Sequence, residues 1–196
     1  MKNVLIVFVL IISANCFGQD SIWIRQAHIR EAIAFEKKLD SKSEFLNQNV
    51  SLSASYFPLI DKYPLANPII VKRTQRGFLP LYAEYYYSKA DSMLRVVSYD
   101  WERDRYGNFF EKGPVFEEES HKLEGYNKEY ERIRGILTAT IGEPRKTDKG
   151  PATKSGSRGN YFTRDTEWDN EIYHATLSMV FESMTYRIRL NLYWKK

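Results

Sequence analysis

Residues 173–194 read YHATLSMVFESMTYRIRLNLYW. Tyr173, Ala175, Leu177, Met179 and Phe181 are apolar at every odd position, and Tyr186, Ile188, Leu190, Leu192 and Trp194 at every even one. A period of two marks a strand with one buried face, because successive side chains point to opposite sides. A turn centred on Ser183 and Met184 sets Phe181 opposite Tyr186, Met179 opposite Ile188, Leu177 opposite Leu190, Ala175 opposite Leu192 and Tyr173 opposite Trp194. All these apolar side chains then share a face. A slip of one residue would bury Arg187 and Arg189 instead, so the register is strongly specified.

Working outward, residues 161–168 predict a third strand, joined through Asp169-Asn170, residues that tolerate the positive φ of tight hairpin turns. That turn sets Asp165 opposite His174, which is itself opposite Tyr193. The polar face then carries the row Asp165, His174, Tyr193, with Arg187, Arg189, Asn191, Thr176 and Tyr161 beside it. A further hairpin is expected from residues 81–88 and 93–102, turning at Lys89 to Ser92. Val97, Tyr99 and Trp101 alternate there with Ser98, Asp100 and Glu102, and several registers are comparably good. Clean alternation points to an antiparallel sheet wet on one side.

The dry side needs helices. His28, Ile29, Ala32, Ile33, Phe35 and Leu39 recur at helical spacing and predict a helix over 21–39. Tyr126, Tyr130, Ile133, Leu137 and Ile141 predict a second, with Asn127 able to cap its start and Gly142 followed by Glu143-Pro144 as its stop. Between 40 and 75, Pro58, Pro64 and Pro68 interrupt every candidate element, so loops with short helical turns are expected. The reading is an α+β fold: an antiparallel sheet of about five strands with two main helices packed on one face.

The amino end carries a different signal. Lys2 precedes an apolar run from Val4 to Ile12, followed by the small residues of Ser13 to Gly18. Nine apolar residues are too few to cross a bilayer, which takes about 20. Residues 1–18 are therefore expected to be a signal peptide and 19–196 a single globular α+β domain, exported to the periplasm or beyond. Lipid anchoring through Cys16 is disfavoured by Ser13 and Asn15, which stand where such signals carry an aliphatic and a small residue. Cys16 is the chain's one cysteine, and if cleavage falls after it the mature protein offers no thiol nucleophile and no Cys-ligated zinc.

Composition excludes further classes. With 43% hydrophobic and 28% charged residues the chain is neither disordered nor a multi-span membrane protein. The net charge of +4 is concentrated at 145–159, where Arg145, Lys146, Lys149, Lys154 and Arg158 oppose Asp148 alone. A basic loop is not the basic face that nucleic acid requires, and nucleic acid is rejected as a partner.

Three constellations could carry chemistry. Asp165 beside His174 and Tyr193 has the parts of a general-base arrangement, and equally those of a cross-strand ion pair. Arg187, Arg189, Asn191 and Tyr193 are residue types of partner surfaces. Asp100, Glu102, Asp104, Asn108 and Glu111 match the ligand spacing of a calcium loop, but Arg105 stands where its sharp turn needs Gly. No cofactor, metal or catalytic set is expected. The favoured reading is an exported, non-catalytic binding protein, inhibitor- or immunity-like, using the polar sheet face or the basic loop. Its expected partner is an exported protein or a cell-envelope polymer, with no transmembrane span. The alternatives are a small hydrolase acting on envelope material, through Asp165 and His174 or paired carboxylates such as Asp100 and Glu102, and a calcium-dependent module.

Overall fold

The computed structural model describes residues 21–39, 42–74, 77–103, 112–156, 159–182 and 185–196. The expected signal segment, residues 104–111 of the calcium-type loop, Arg158, and the turn residues Ser183 and Met184 lie outside them. Within them the chain runs α1 (Ile29–Leu39), β1 (Glu44–Leu46), β2 (Ile69–Arg73), β3 (Leu81–Tyr87), β4 (Leu94–Trp101), α2 (Lys112–Glu119), α3 (Leu123–Ile141), β5 (Lys146–Thr147), β6 (Ala152–Gly156), β7 (Gly159–Asp169), β8 (Tyr173–Glu182) and β9 (Thr185–Trp194).

Strand pairing between β8 and β9 follows the apolar period as expected, with Phe181 on Tyr186, Leu177 on Leu190 and Tyr173 on Trp194. The fold is α+β with one antiparallel sheet, but the sheet has nine strands in place of about five, and the described residues form three helices in place of two. Its order is β1-β2-β3-β4-β9-β8-β7-β5, and β6 also pairs with β7. The extra strands come from two segments read as loops. Ile69-Ile70-Val71 is a β-branched run that pairs with Tyr85, Glu84 and Ala83 once Pro68 is passed. The basic segment supplies β5 and β6, which both pair with the long β7.

One face of the sheet is covered by helices. α1 lies on β3, and α3 on β8 and β9. Tyr126, Tyr130, Ile133 and Leu137 of α3 are all fully buried against Leu177, Met179, Ile188 and their neighbours. Each such apolar side chain contributes about 1.5–3 kcal/mol relative to exposure. The Tyr130 hydroxyl donates to Thr166 Oγ1 at 2.7 Å, so its polar tip is satisfied inside the core. Gly142 ends α3 with φ 91°, a left-handed value that a Cβ would disfavour, and its carbonyl accepts the Trp168 indole N–H at 2.9 Å. Asn127 does not cap the helix. It sits a turn inside, where its side-chain oxygen accepts from the buried Arg164 at 2.8 Å.

The first helix also starts later than its apolar stripe. Residues 21–27 are not helical; Leu94 N donates to the Ala27 carbonyl, His28 bridges Met93, and Ile29 N donates to the Ser92 carbonyl. These contacts with the start of β4 use backbone groups that a helix over 21–28 would have consumed.

The other face is wet only in part. Phe57, fully buried, packs with Tyr86 and Val96, and Leu52, Leu59, Ile60, Tyr63 and Leu65 gather around them. The proline-interrupted segment between β1 and β2 thus lies over β3, β4 and β9. β4 is buried along its whole length, including Ser98 and Asp100, which the alternation had placed in water. Beyond that cover the outer face of β7, β8 and β9 stays open.

Candidate binding groove

Where the covering segment ends, the sheet and Tyr56 enclose a groove of about 260 Å³. Its floor is Thr163 and Asp165 of β7, Thr176, Ser178 and Val180 of β8, and Arg187, Arg189 and Asn191 of β9; Tyr56 and Tyr161 complete it. A second cavity of about 170 Å³ adjoins it beneath residues 50–53, and shares Tyr56, Arg189 and Asn191 with the first. Both exist because outward-facing residues of neighbouring strands line up in rows, as Asp165, Ser178 and Arg189 do here.

The two arginines differ in what they meet. Arg189 Nε lies 2.6 Å from one Asp100 oxygen and a terminal nitrogen 2.9 Å from the other, a bidentate pair whose carboxylate is fully buried. Burial works against the Arg189 cation, but Asp100 outweighs it and holds the guanidinium above its ordinary range. Arg189 also lies over the Tyr56 ring at 5.5 Å. The Arg187 side chain, opposite Val180, makes no ion pair or hydrogen bond among the described residues. It is the groove's uncommitted cation.

Asn191 is 5% exposed, and its amide N–H donates to the Tyr56 carbonyl at 3.0 Å, tying the covering segment to β9. Its Oδ1 is buried without a partner among the described residues, as is Thr163 Oγ1. Asp165 is half-exposed at 50% and has Lys154 at 3.9 Å, while its backbone N–H donates to Asp148 Oδ2.

Of the residues singled out in the sequence, Arg187, Arg189, Asn191 and Asp165 come together in the groove, along with Thr176 and Tyr161. His174 and Tyr193 do not. Asp165 stands opposite Ser178, not His174, because the hairpin turns later than Asp169-Asn170. The Asn170 side-chain oxygen accepts from Ile172 and Tyr173 N–H, and Asn170 N donates to the Tyr173 carbonyl, so the chain reverses at Glu171-Ile172. The shift preserves the period of two, and hence the faces, but moves His174 onto Asp169.

There Asp169 Oδ1 lies 3.1 Å from His174 Nδ1 and 2.7 Å from Lys195 Nζ, with Arg145 at 3.2 Å from its other oxygen. Hydrogen bonds from Lys195 and His174 hold the Asp169 carboxyl below the usual range. The His174 ring leans on Tyr193 at 5.1 Å, and Tyr193 meets Phe57 edge-on at 6.0 Å. No serine hydroxyl is hydrogen-bonded to His174 among the described residues. The Asp165–His174 pair, one of the two arrangements considered for hydrolysis, is therefore not assembled.

Asp100 gives both oxygens to Arg189 inside the sheet, and the described residues contain no cluster of three or more His, Cys, Asp or Glu that could hold a metal. The basic segment is largely drawn into the sheet edge, where Arg145 and Lys154 meet the carboxylates of β7. No described helix is long and apolar enough to cross a membrane.

Sequence reasoning missed Tyr56, Thr163 and the second cavity. The available signal was the apolar content of residues 52–65, which a fully solvated loop would not carry. The chain matches no protein-family model, no curated protein and no solved structure.

Proposed function

We propose that this chain is an exported, non-catalytic binding protein that receives its partner in the groove over β7, β8 and β9. The observation that carries the reading is Arg187, a cation without a counter-charge among the described residues, in a groove where Arg189 and Asp165 both have one. A half-buried guanidinium left unpaired has shed part of its hydration without recovering it, and a complementary ligand restores the balance. Export is supported by the charged, apolar and small residues in succession at the amino end. The concavity favours a narrow partner, such as a strand of envelope polymer, over the broad face of a folded protein.

Affinity capture from envelope extract tests it, with the immobilised protein and its Arg187→Ala variant side by side. Arg189 is unsuitable for this purpose, since removing it strands Asp100 in the sheet. The expected result is a captured component whose yield falls about tenfold with Arg187→Ala. Equal capture by both forms overturns the choice of this face.

A further inference from the structure

We infer that the groove recognises an acidic sugar, a saccharide unit carrying a carboxylate. This rests on the binding reading above and names the ligand class for the same site. The cation comes first. Arg187 offers a planar fork of N–H donors that matches a carboxylate in two parallel hydrogen bonds. A dianionic phosphate fits less well, because Asp165 lines the same groove and one unpaired cation would have to balance two charges.

The remaining lining asks for hydroxyls. Thr176 and Ser178 each present a group that both donates and accepts, and Asp165 adds an acceptor. On a sheet these sit about 5 Å apart across strands and roughly 7 Å along them. Adjacent ring hydroxyls satisfy such an array because each donates and accepts in turn, and a carboxylate such as Asp165 accepts from two at once. A peptide acid would engage Arg187 but leave most of that lining unpaired, which is costly in a partly dried groove.

Tyr56, 38% exposed, and Tyr161 add aromatic surface on which the C–H face of a sugar ring can lie. The volume also fits: about 260 Å³ is below the range that takes drug-sized ligands and suits a single compact unit. The adjoining cavity of about 170 Å³, sharing Tyr56, Arg189 and Asn191, continues the path for a chain of such units. Two buried polar atoms without partners, Asn191 Oδ1 and Thr163 Oγ1, belong to residues lining this path. Unsatisfied buried atoms are rare in folded proteins, and each calls for a reason such as a functional role.

Titration calorimetry with defined sugars tests the assignment. The probes are galacturonate, glucuronate and N-acetylmuramate, their neutral counterparts galactose, glucose and N-acetylglucosamine, and N-acetylglutamate amide as a carboxylate without a sugar. At least one acidic sugar should saturate the protein below about 10 mM, and bind about tenfold more tightly than its neutral counterpart. Arg187→Ala should abolish that tenfold preference, and Ser178→Ala should weaken acid and neutral sugars alike, with thermal unfolding confirming that both variants fold. The assignment is overturned if no acidic sugar binds, if neutral sugars bind equally well, or if the glutamate amide matches the best sugar. Failure here alongside Arg187-dependent capture removes the sugar and leaves the binding face; capture independent of Arg187 removes the face itself.

Discussion

Arg187 and Arg189 stand two residues apart on one face of one strand, and as residue types nothing in the sequence tells them apart. Their neighbours do. β4 ends with Trp101 opposite Ile188, so Arg189 lies beside Asp100 while Arg187 lies past the end of that strand. A buried pair broken from one side leaves an uncompensated charge, so Arg189→Ala or Asp100→Ala should each cost about 3–5 kcal/mol of stability. Arg187→Ala should stay within about 0.5 kcal/mol, as changes to uncommitted surface groups do. Denaturant midpoints with unchanged slopes check both, and a midpoint unmoved by Arg189→Ala would show that the pair is not what holds β4 to β9. The same contrast marks the limit of sequence reading at this scale. The face of each side chain followed from the period of two. Which carboxylate each cation would meet depended on strand order, and the sequence leaves strand order open.

The segment between β1 and β2 makes the corresponding point for elements. Its three prolines, Pro58, Pro64 and Pro68, made it legible as irregular, and it is irregular. That it would cover a sheet face was not legible from periodicity, because it has none. Its cover hangs on Phe57, wholly buried and wedged among Tyr86, Val96 and Tyr193. Phe57→Ala removes that wedge, at a cost of about 3–5 kcal/mol if the gap fails to close. Since α3 packs on the opposite face, the expected outcome is local: the segment detaches while the helix-covered core persists. Limited proteolysis read by mass spectrometry should then show cuts within residues 50–65 appearing well before cuts in α3 or β8. Uniform acceleration at all sites would instead mean that the cover and the core unfold together. Hairpin register shows the same division. The β8–β9 register was fixed by two long apolar alternations, whereas β7 offered too short a pattern to outvote Asp169-Asn170. The Asn170 side chain settled it by capping the turn two residues later.

Across the whole molecule, fold class was legible because patterning decides which faces are dry, whereas the count of strands was not, because short edge strands such as β5 and β6 bury little and so carry no apolar signature. What the composition did announce was tyrosine, 14 residues of it. Tyr85, Tyr99, Tyr126 and Tyr130 are buried, and they link the covering helices to the sheet. The Tyr85 hydroxyl donates to Glu36 of α1, which also holds Arg73 of β2 through a bidentate pair; Tyr99 lies 3.0 Å from Tyr85 and accepts the Trp23 N–H at 2.7 Å. Burial pushes Tyr99 up from its ordinary 10.0 to about 12, and burial raises Tyr85, Tyr126 and Tyr130 as well. Each therefore keeps its proton in the folded state at a pH where the unfolded chain has lost it. The stability this represents is fully present below about pH 10 and is withdrawn as pH rises through the folded values. At about 1.4 kcal/mol per pH unit, Tyr99 alone accounts for about 2–3 kcal/mol by pH 12. Because the Tyr85 and Tyr130 hydroxyls join α1 and α3 to one sheet, the loss should appear as a single cooperative transition, with tyrosinate absorbance and far-ultraviolet dichroism changing together. Denaturant midpoints should be level up to about pH 9.5 and fall steeply beyond it, less steeply in Tyr99→Phe. Tyrosinate appearing ahead of unfolding, with midpoints unchanged, would mean that the hydroxyls titrate within the folded protein and that the tyrosine core does not set its alkaline limit.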